Sequence, residues 1–221
     1  MESPTGTLEL LRAFTVPGLV QEEILRRIKT GEVEAGAKLN EVDLAGYLQI
    51  SRSPVREAFR ALEEAGLVRL EKNRGAFIRH LADGEANELY QIRSMIDEAS
   101  GRMLAPAITL PQLQELSAAL DELEGSDPAA AFTRNLAFHD RLVEMAGNAT
   151  MLAMYRQTVN RMHLLRPRGF FLTGSSEASH AEHRQILRAL ATRDPAAAAS
   201  ALRDHVWSGY HRTVGAKPPE A

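Results

Sequence analysis

Cysteine is absent from the 221 residues, so disulfides and thiolate metal sites are excluded, although this does not fix a compartment. Aromatic residues make up only 5% of the chain, which leaves little surface for stacking unpaired bases and argues against a single-strand or RNA-binding module. No apolar run approaches the ~18 residues that span a bilayer, and the start, Met1-Glu-Ser-Pro-Thr-Gly6, lacks the basic-then-apolar pattern of a secretion signal. A soluble, cytoplasmic protein with no membrane partner is expected. An excess of positive charge is missing too. Twenty-nine acidic against 26 basic side chains give a formal charge of −3, so this is no globally basic nucleic-acid coat.

The positive charge is instead concentrated. Between Arg52 and Arg79 stand seven basic residues (Arg52, Arg56, Arg60, Arg69, Lys72, Arg74, Arg79) against four acids (Glu57, Glu63, Glu64, Glu71). Such a patch on a near-neutral body suits specific, salt-sensitive binding to DNA.

The pattern within the patch is that of a winged helix-turn-helix. Leu44, Ala45 and Leu48 form the apolar face of a first helix, and a turn at Gln49-Ile50 leads to Ser51-Arg-Ser-Pro54. A second helix follows with an inner stripe at Val55, Ala58, Phe59 and Leu62. Ser53 is expected as its N-cap and Pro54 at its first position, where no backbone donor is needed. Gly66 ends it. A strand over Leu67 to Leu70, a turn at Asn73-Arg74-Gly75 and a strand over Ala76 to Ile78 form the wing. The N-terminal end of the second helix, carrying Ser51, Arg52, Ser53 and Arg56, is the part that enters a major groove in such a motif, with hydroxyls and guanidinium groups aimed at phosphates and guanine edges.

Gly31-Glu-Val-Glu-Ala-Gly-Ala-Lys-Leu39, Asp43-Leu-Ala45, Ser51-Arg-Ser-Pro-Val-Arg-Glu-Ala58, Leu62-Glu-Glu-Ala-Gly-Leu-Val68 and Arg74-Gly-Ala-Phe77 resemble the GntR family of bacterial transcription regulators over residues 19–80. The resemblance implies that Arg52 and Arg56 read bases or phosphates. It also implies that Ser51 and Ser53 hold phosphates and that the turn at Arg74 and Gly75 lies in the minor groove. Val42 stands where relatives often carry a basic contact, so one DNA contact is expected to be missing.

After His80 the texture changes to six helical segments: 84–105, 111–124, 128–147, 150–166, 176–191 and 195–214. Asp83, Asp127-Pro128 and Asp194-Pro195 punctuate their starts. Short connections imply an antiparallel bundle. The first segment shows an apolar stripe at Leu89, Ile92, Ile96, Ala99 and Met103. The expected fold is mainly α: an N-terminal winged helix-turn-helix over 17–80 and a C-terminal antiparallel six-helix bundle over 81–214. A loose extension is expected over 1–16 and a tail over 215–221.

Four bundle residues stand out. Asn135 and His139 are four apart and share a helix face, which Phe132, Leu136 and Leu142 turn inward. His183 is eight residues, about 12 Å, from the end of its helix, and His205 is ten residues, about 15 Å, into the next. An antiparallel hairpin would bring the two to one level. Asn135, His139, His183 and His205 can then converge on a divalent cation as an N₃O set suited to zinc, nickel or another transition metal. The same spacing also fits core histidines bonded to their neighbours. His163, His180 and His211 are expected to be solvated or to stand just behind the metal ligands, His180 being the closest to inclusion.

Asn135-Leu-Ala-Phe-His139, Ala146-Gly-Asn148, Glu182-His183 with Ile186, Ala189 and Asp194, and Ala198 to His205 resemble the FadR-type ligand-binding domain called FCD. Many of its members hold a metal through an Asp-x-x-Phe-His pair and two later histidines. Asn135 departs from the usual Asp. It keeps an oxygen but brings no charge, which would weaken the metal and favour an anionic ligand. Arg93, at the edge of the first bundle stripe, either binds an effector carboxylate or pairs with Asp97 four residues on. The resulting expectation is a homodimeric repressor of palindromic operator DNA, without enzyme activity, controlled by a metal and a small carboxylate effector. Two alternatives stand beside it: a metal-independent regulator with an acyl or other apolar effector, and a helical metallohydrolase built on the His139-Asp140 pair.

Overall fold

A computed structural model describes residues 15–124, 128–165 and 175–214. The chain forms two compact units, one from the described part of residues 1–82 with Asn160–Arg166, the other from 83–159 with the described part of 167–221. The break after Ala82 lies two residues past the expected boundary. The described residues 160–165, expected at the end of a bundle helix, group with the first unit, and Leu164 is part of that unit's apolar core.

In the first unit, α1 (Val16–Thr30) starts at Thr15, whose hydroxyl accepts from the Gly18 amide, and stops at Gly31 with φ of 74°. It buries Val20, Ile24 and Ile28, one residue per turn. Helix α2 (Glu41–Leu48) is capped by the Asn40 side chain, which accepts from the Val42 and Asp43 amides, and ends at Gln49 in the left-handed region. Helix α3 (Arg52–Glu64) buries Val55, Ala58, Phe59 and Leu62, the expected inner stripe. Its N-cap is Ser51 and not Ser53. The extended backbone at Ser51, with ψ of 165°, already gives way to helix at Arg52. Pro54 therefore occupies the third helical position, where an amide hydrogen would still lack an intrahelical partner.

Strands β1 (Lys38–Leu39), β2 (Val68–Glu71) and β3 (Gly75–Ile78) form an antiparallel sheet in the order β1-β3-β2. Leu70 pairs with Ala76 and Glu71 with Gly75, so the hairpin turns through Lys72, Asn73 and Arg74. Asn73 at φ 63° and Gly75 at φ 104° supply its left-handed positions.

The second unit contains α4 (Glu85–Leu104), α5 (Leu110–Glu124), α6 (Pro128–Met145), α7 (Ala149–Met162, its last residues grouped with the first unit), α8 (Ser175–Ala191) and α9 (Pro195–Val214). A 3-10 turn over His163–Leu165 follows α7. The expected cap Asp127, the Phe132 side chain, the 1–14 part of the extension and the 215–221 tail lie outside the described residues. Helix α4 packs on α9 and α6, α9 on α8, and α5 on α6 and α8. Helices α4 and α9 run antiparallel: Gly101 lies against Ala198 and Leu202, while Tyr90 meets Tyr210 at the other end.

The stripe expected on α4 divides between two faces. Leu89 and Ile96 are buried, whereas Ile92 and Met103 are exposed on the far side together with Met95. The inner face is completed by Arg93, Asp97, Ser100 and Gly101, polar or small residues that an apolar count passes over.

Gly101 sets the closest approach of α4 to α9. A Cβ there would stand 2.5 Å from Leu202 Cδ1 and 3.0 Å from the Ala198 backbone. The Leu202 methyl can swing away, but the Ala198 backbone cannot. Gly101→Ala gains about 1 kcal/mol of helix propensity, yet overpacking of this kind costs about 1–3 kcal/mol. The variant is expected to melt several degrees below wild type in a calorimetric scan; an equal or higher melting temperature would show that the two helices separate freely.

Candidate functional site

Three bundle helices bring His139, His183 and His205 together. Ring centroids lie 4.9 Å apart for His139 and His205, 4.2 Å for His183 and His205, and 5.4 Å for His139 and His183. One nitrogen from each ring falls within 4.8 Å of the others, and all three rings are buried. Around a tetrahedral zinc, ligand nitrogens stand about 3.4 Å apart. The cluster is thus preformed, its nitrogens standing at most about 1.4 Å wider than in a closed shell. Asn135 is buried one helical turn before His139 on α6.

The side chains around the rings dictate which nitrogen is available. Nδ1 of His139 donates to Asp97 Oδ1 at 2.8 Å, and Nδ1 of His205 donates to Glu182 Oε2 at 2.7 Å. Each imidazole then presents its Nε2 lone pair to the interior, the arrangement in which an outer carboxylate fixes the tautomer of a metal-ligating histidine. Burial pushes His139 and His183 well below the usual imidazole range, with Arg93 and neighbouring rings adding to the shift. His205 is also lowered by burial, although Glu182 opposes it. All three are neutral near pH 7, as metal ligands must be.

The carboxylates differ in character. Burial pushes Asp97 up to about 6, against the pull of Arg93. Burial raises Glu182 as well, but hydrogen bonds from His205 and from both Nη atoms of Arg212 outweigh it and bring it down to about 2.

Of the two expectations for Arg93, the structure shows the pairing with Asp97. Arg93 Nε bonds Asp97 Oδ2 at 3.2 Å, and its side chain is buried in the unit's interior. Arg93 Nη2, Asn135 Oδ1, His139 Nε2 and both ring nitrogens of His183 are buried without a hydrogen-bond partner among the described residues. An orphaned buried polar group costs about 1–3 kcal/mol, and five such atoms at one place call for a ligand. Their chemistry is specific: nitrogens of two imidazoles, His139 and His183, and an amide oxygen suit a divalent metal, and a guanidinium donor suits an anion.

The other histidines stay out of the cluster. His163, expected to be solvated or to stand behind the metal ligands, is instead buried in the first unit, and burial beside Lys29 lowers it to about 3. His180 is half-buried and lies near enough to depress His183, while His211 is exposed. The metallohydrolase alternative fails on geometry. Asp140 is held in two 2.8 Å bonds by Arg156 on the partly exposed side of α6, and takes no part in the His139 cluster.

A second constellation lies at the start of α3. Ser51, Arg52, Ser53 and Arg56 are exposed there, and Arg74 and Gly75 are exposed at the wing turn. A cleft of about 450 Å³ joins them, lined by Lys38, Arg52, Arg56, Arg60 and Arg74 with Glu41 and Glu71 between. Sequence reasoning passed over Glu41, counted Glu71 only as charge in the patch, and treated Asp97 as at most a partner for Arg93. The i,i+4 spacing of Arg93 and Asp97 was visible, but the third partner, His139, lies 42 residues away.

The comparisons follow the same division. Residues 88–207 match the FCD domain family, and residues 19–78 match the family described as bacterial regulatory proteins, gntR family. A probable D-xylose utilization operon transcriptional repressor of Paenarthrobacter nicotinovorans is 30% identical over 206 residues, covering 91% of this chain and 90% of its own. Among solved structures, a GntR regulator from Rhodococcus sp. RHA1 superposes with a TM-score of 0.77 at 26% identity, over 91% of this chain and 99% of its own. Escherichia coli McbR/YncC shares the fold with a TM-score of 0.78 at 18% identity, over 88% and 95% of the two chains.

The orphaned nitrogens of His183 make a prediction about the metal-free protein. His183→Leu removes two unsatisfied buried groups at nearly constant volume. With chelator present it should melt at or above the wild-type temperature, and added zinc should raise it far less than wild type. A chelated variant melting well below chelated wild type would mean that His183 has a structural partner.

Proposed function

The chain belongs to the gntR family of bacterial regulatory proteins, in the branch that carries an FCD domain, and is a DNA-binding transcription regulator and not an enzyme; on that premise we propose that it is a cytoplasmic, homodimeric repressor whose bundle binds one divalent transition metal and a small carboxylate effector. The observation that carries this reading is the meeting of three buried, neutral imidazoles, of which His139 Nε2 and the His183 nitrogens have no other partner among the described residues. His139, His183, His205 and the Asn135 oxygen hold the metal, with zinc the natural fit for N₃O and nickel a competitor. A bound divalent ion supplies a Lewis-acidic anchor for an anionic oxygen.

The effector's charge follows from the ligand set. Asn135 contributes no negative charge, so the metal keeps its full positive charge among its four protein ligands. Arg93 adds a donor, Nη2, whose planar fork suits a carboxylate. An apolar effector would leave these polar atoms unpartnered, which argues against the metal-independent alternative.

Ser51, Arg52, Ser53 and Arg56 contact the major groove and its phosphates, and Arg74 with Gly75 the minor groove. A palindromic operator requires two heads. The stripe of Ile92, Met95 and Met103 left exposed along α4 supports a second copy as its cover. Effector binding shifts the population between head arrangements that do and do not match half-site spacing, by no more than its differential affinity for the two.

Metal analysis of protein stripped by chelation and reloaded with zinc is expected to give about one ion per subunit. His139→Ala, His183→Ala and His205→Ala should each lower that occupancy, while His163→Ala, in the other unit, should not. Absence of metal after reloading, or equal losses from His163→Ala, would contradict the assignment.

A further inference from the structure

Glu41 is the first residue of α2, yet its side chain reaches the start of α3. Its Oε1 accepts from Arg52 Nε at 2.5 Å and from Arg56 Nε at 2.9 Å. One carboxylate oxygen therefore holds both arginines that stand at the groove-facing end of α3. The guanidinium side chains are each 56% exposed and Glu41 is 23% exposed. Ion pairs this open add little to stability, so stability does not account for the arrangement.

Geometry does. A guanidinium tied down through Nε keeps its terminal Nη1/Nη2 edge free, and that edge is a fork that fits O6 and N7 of guanine. Arg52 and Arg56 are four residues apart, about 6 Å along the helix axis, a span of roughly two base-pair steps at ~3.4 Å each. Tethering also removes side-chain freedom before DNA arrives, so less is lost on binding. The carboxylate has a second effect. Its negative charge between the two cations weakens their attraction for phosphates, which is the sequence-independent part of DNA affinity. On the wing Glu71 also pairs two arginines, Arg69 at 2.6 Å and Arg74 at 2.5 Å, but through their terminal Nη atoms, so the free fork is peculiar to the Glu41 pair.

We propose that Glu41 is a specificity-determining positioning residue, which presents Arg52 and Arg56 as a fixed pair of forks to guanines in the major groove and suppresses sequence-independent binding. The proposal rests on the assignment of Arg52 and Arg56 to DNA contact.

The test is selection from a randomised duplex pool by the full chain as wild type, Glu41→Gln, Glu41→Asp, Arg52→Ala and Arg56→Ala. Titration of each on the wild-type-selected duplex and on a random duplex follows, over a range of salt. Wild type should enrich guanines at positions that Arg52→Ala and Arg56→Ala no longer select. Glu41→Gln, with the same shape and no charge, should cut the ratio of selected to random affinity by about tenfold. Its random-duplex affinity should rise, with a salt slope steeper by about one. Glu41→Asp keeps the charge but is one methylene short of both arginines, so it should hold random binding low while losing the guanine preference. Thermal melts check that each variant folds.

If Glu41→Gln retains the wild-type guanine preference while the arginine variants lose it, the positioning role is wrong and the DNA-contact assignment stands. Should Arg52→Ala and Arg56→Ala select the same sequence as wild type, the assignment falls and the proposal with it.

Discussion

A carboxylate with no solvent exposure, Asp97, sits between a guanidinium on its own helix and an imidazole on the neighbouring one. Removing such an ion from water costs several kcal/mol unless its partners are well placed. Here one oxygen is taken by Arg93 and the other by His139. The constraint propagates in both directions. Toward α6 it fixes which His139 nitrogen carries the proton, and so leaves Nε2 as a lone pair at the cluster. Along α4 it draws Arg93 inward and leaves Nη2 facing unpaired into the same interior. The bundle thus holds its metal-ligand candidate and its anion-binding candidate through one shared carboxylate. Any ligand that pulls on Arg93 is linked to His139 through two hydrogen bonds.

The same logic runs at the surface of the first unit with the signs of charge arranged differently. In the bundle a buried acid orients a base and a cation for a small ligand. On that surface largely shielded acids, Glu41 and Glu71, hold exposed cations, which we have proposed to meet a large polyanion. A chain with a net charge of −3 cannot rely on bulk attraction to DNA. DNA affinity would have to come from a few cations in the right places, and four of the candidates, Arg52, Arg56, Arg69 and Arg74, are held by a neighbouring acid.

Much of this was legible in the sequence because it is local. The inner stripe of α3, the turn at Gln49 and the wing glycine at position 75 follow from periodicity and turn chemistry. His183 and His205 reach the same level because the helices that carry them are joined by three residues, Thr192 to Asp194, which makes height arithmetic reliable. What was misread depends on distant partners. Ile92 and Met103 were expected inside, but α4 spends part of its inner face on Arg93, Asp97 and Ser100, whose partners on α6 and α7 no local pattern reveals. Ser53 was expected as the α3 cap because Ser before Pro is a frequent helix start, and Ser51, two residues earlier, has the same chemistry. His163 was expected near water or behind the metal ligands, but Leu164 beside it anchors the segment in the core of the first unit.

The central claim is that the three imidazoles form a metal site. Anomalous diffraction at the zinc edge from crystals of the chelated and zinc-reloaded protein tests it most directly. One peak per subunit is predicted, within bonding distance of ring nitrogens of His139, His183 and His205, with the Asn135 side-chain oxygen beside it. A loaded crystal with no anomalous density among those rings, or with zinc bound only at surface carboxylates, would contradict the account.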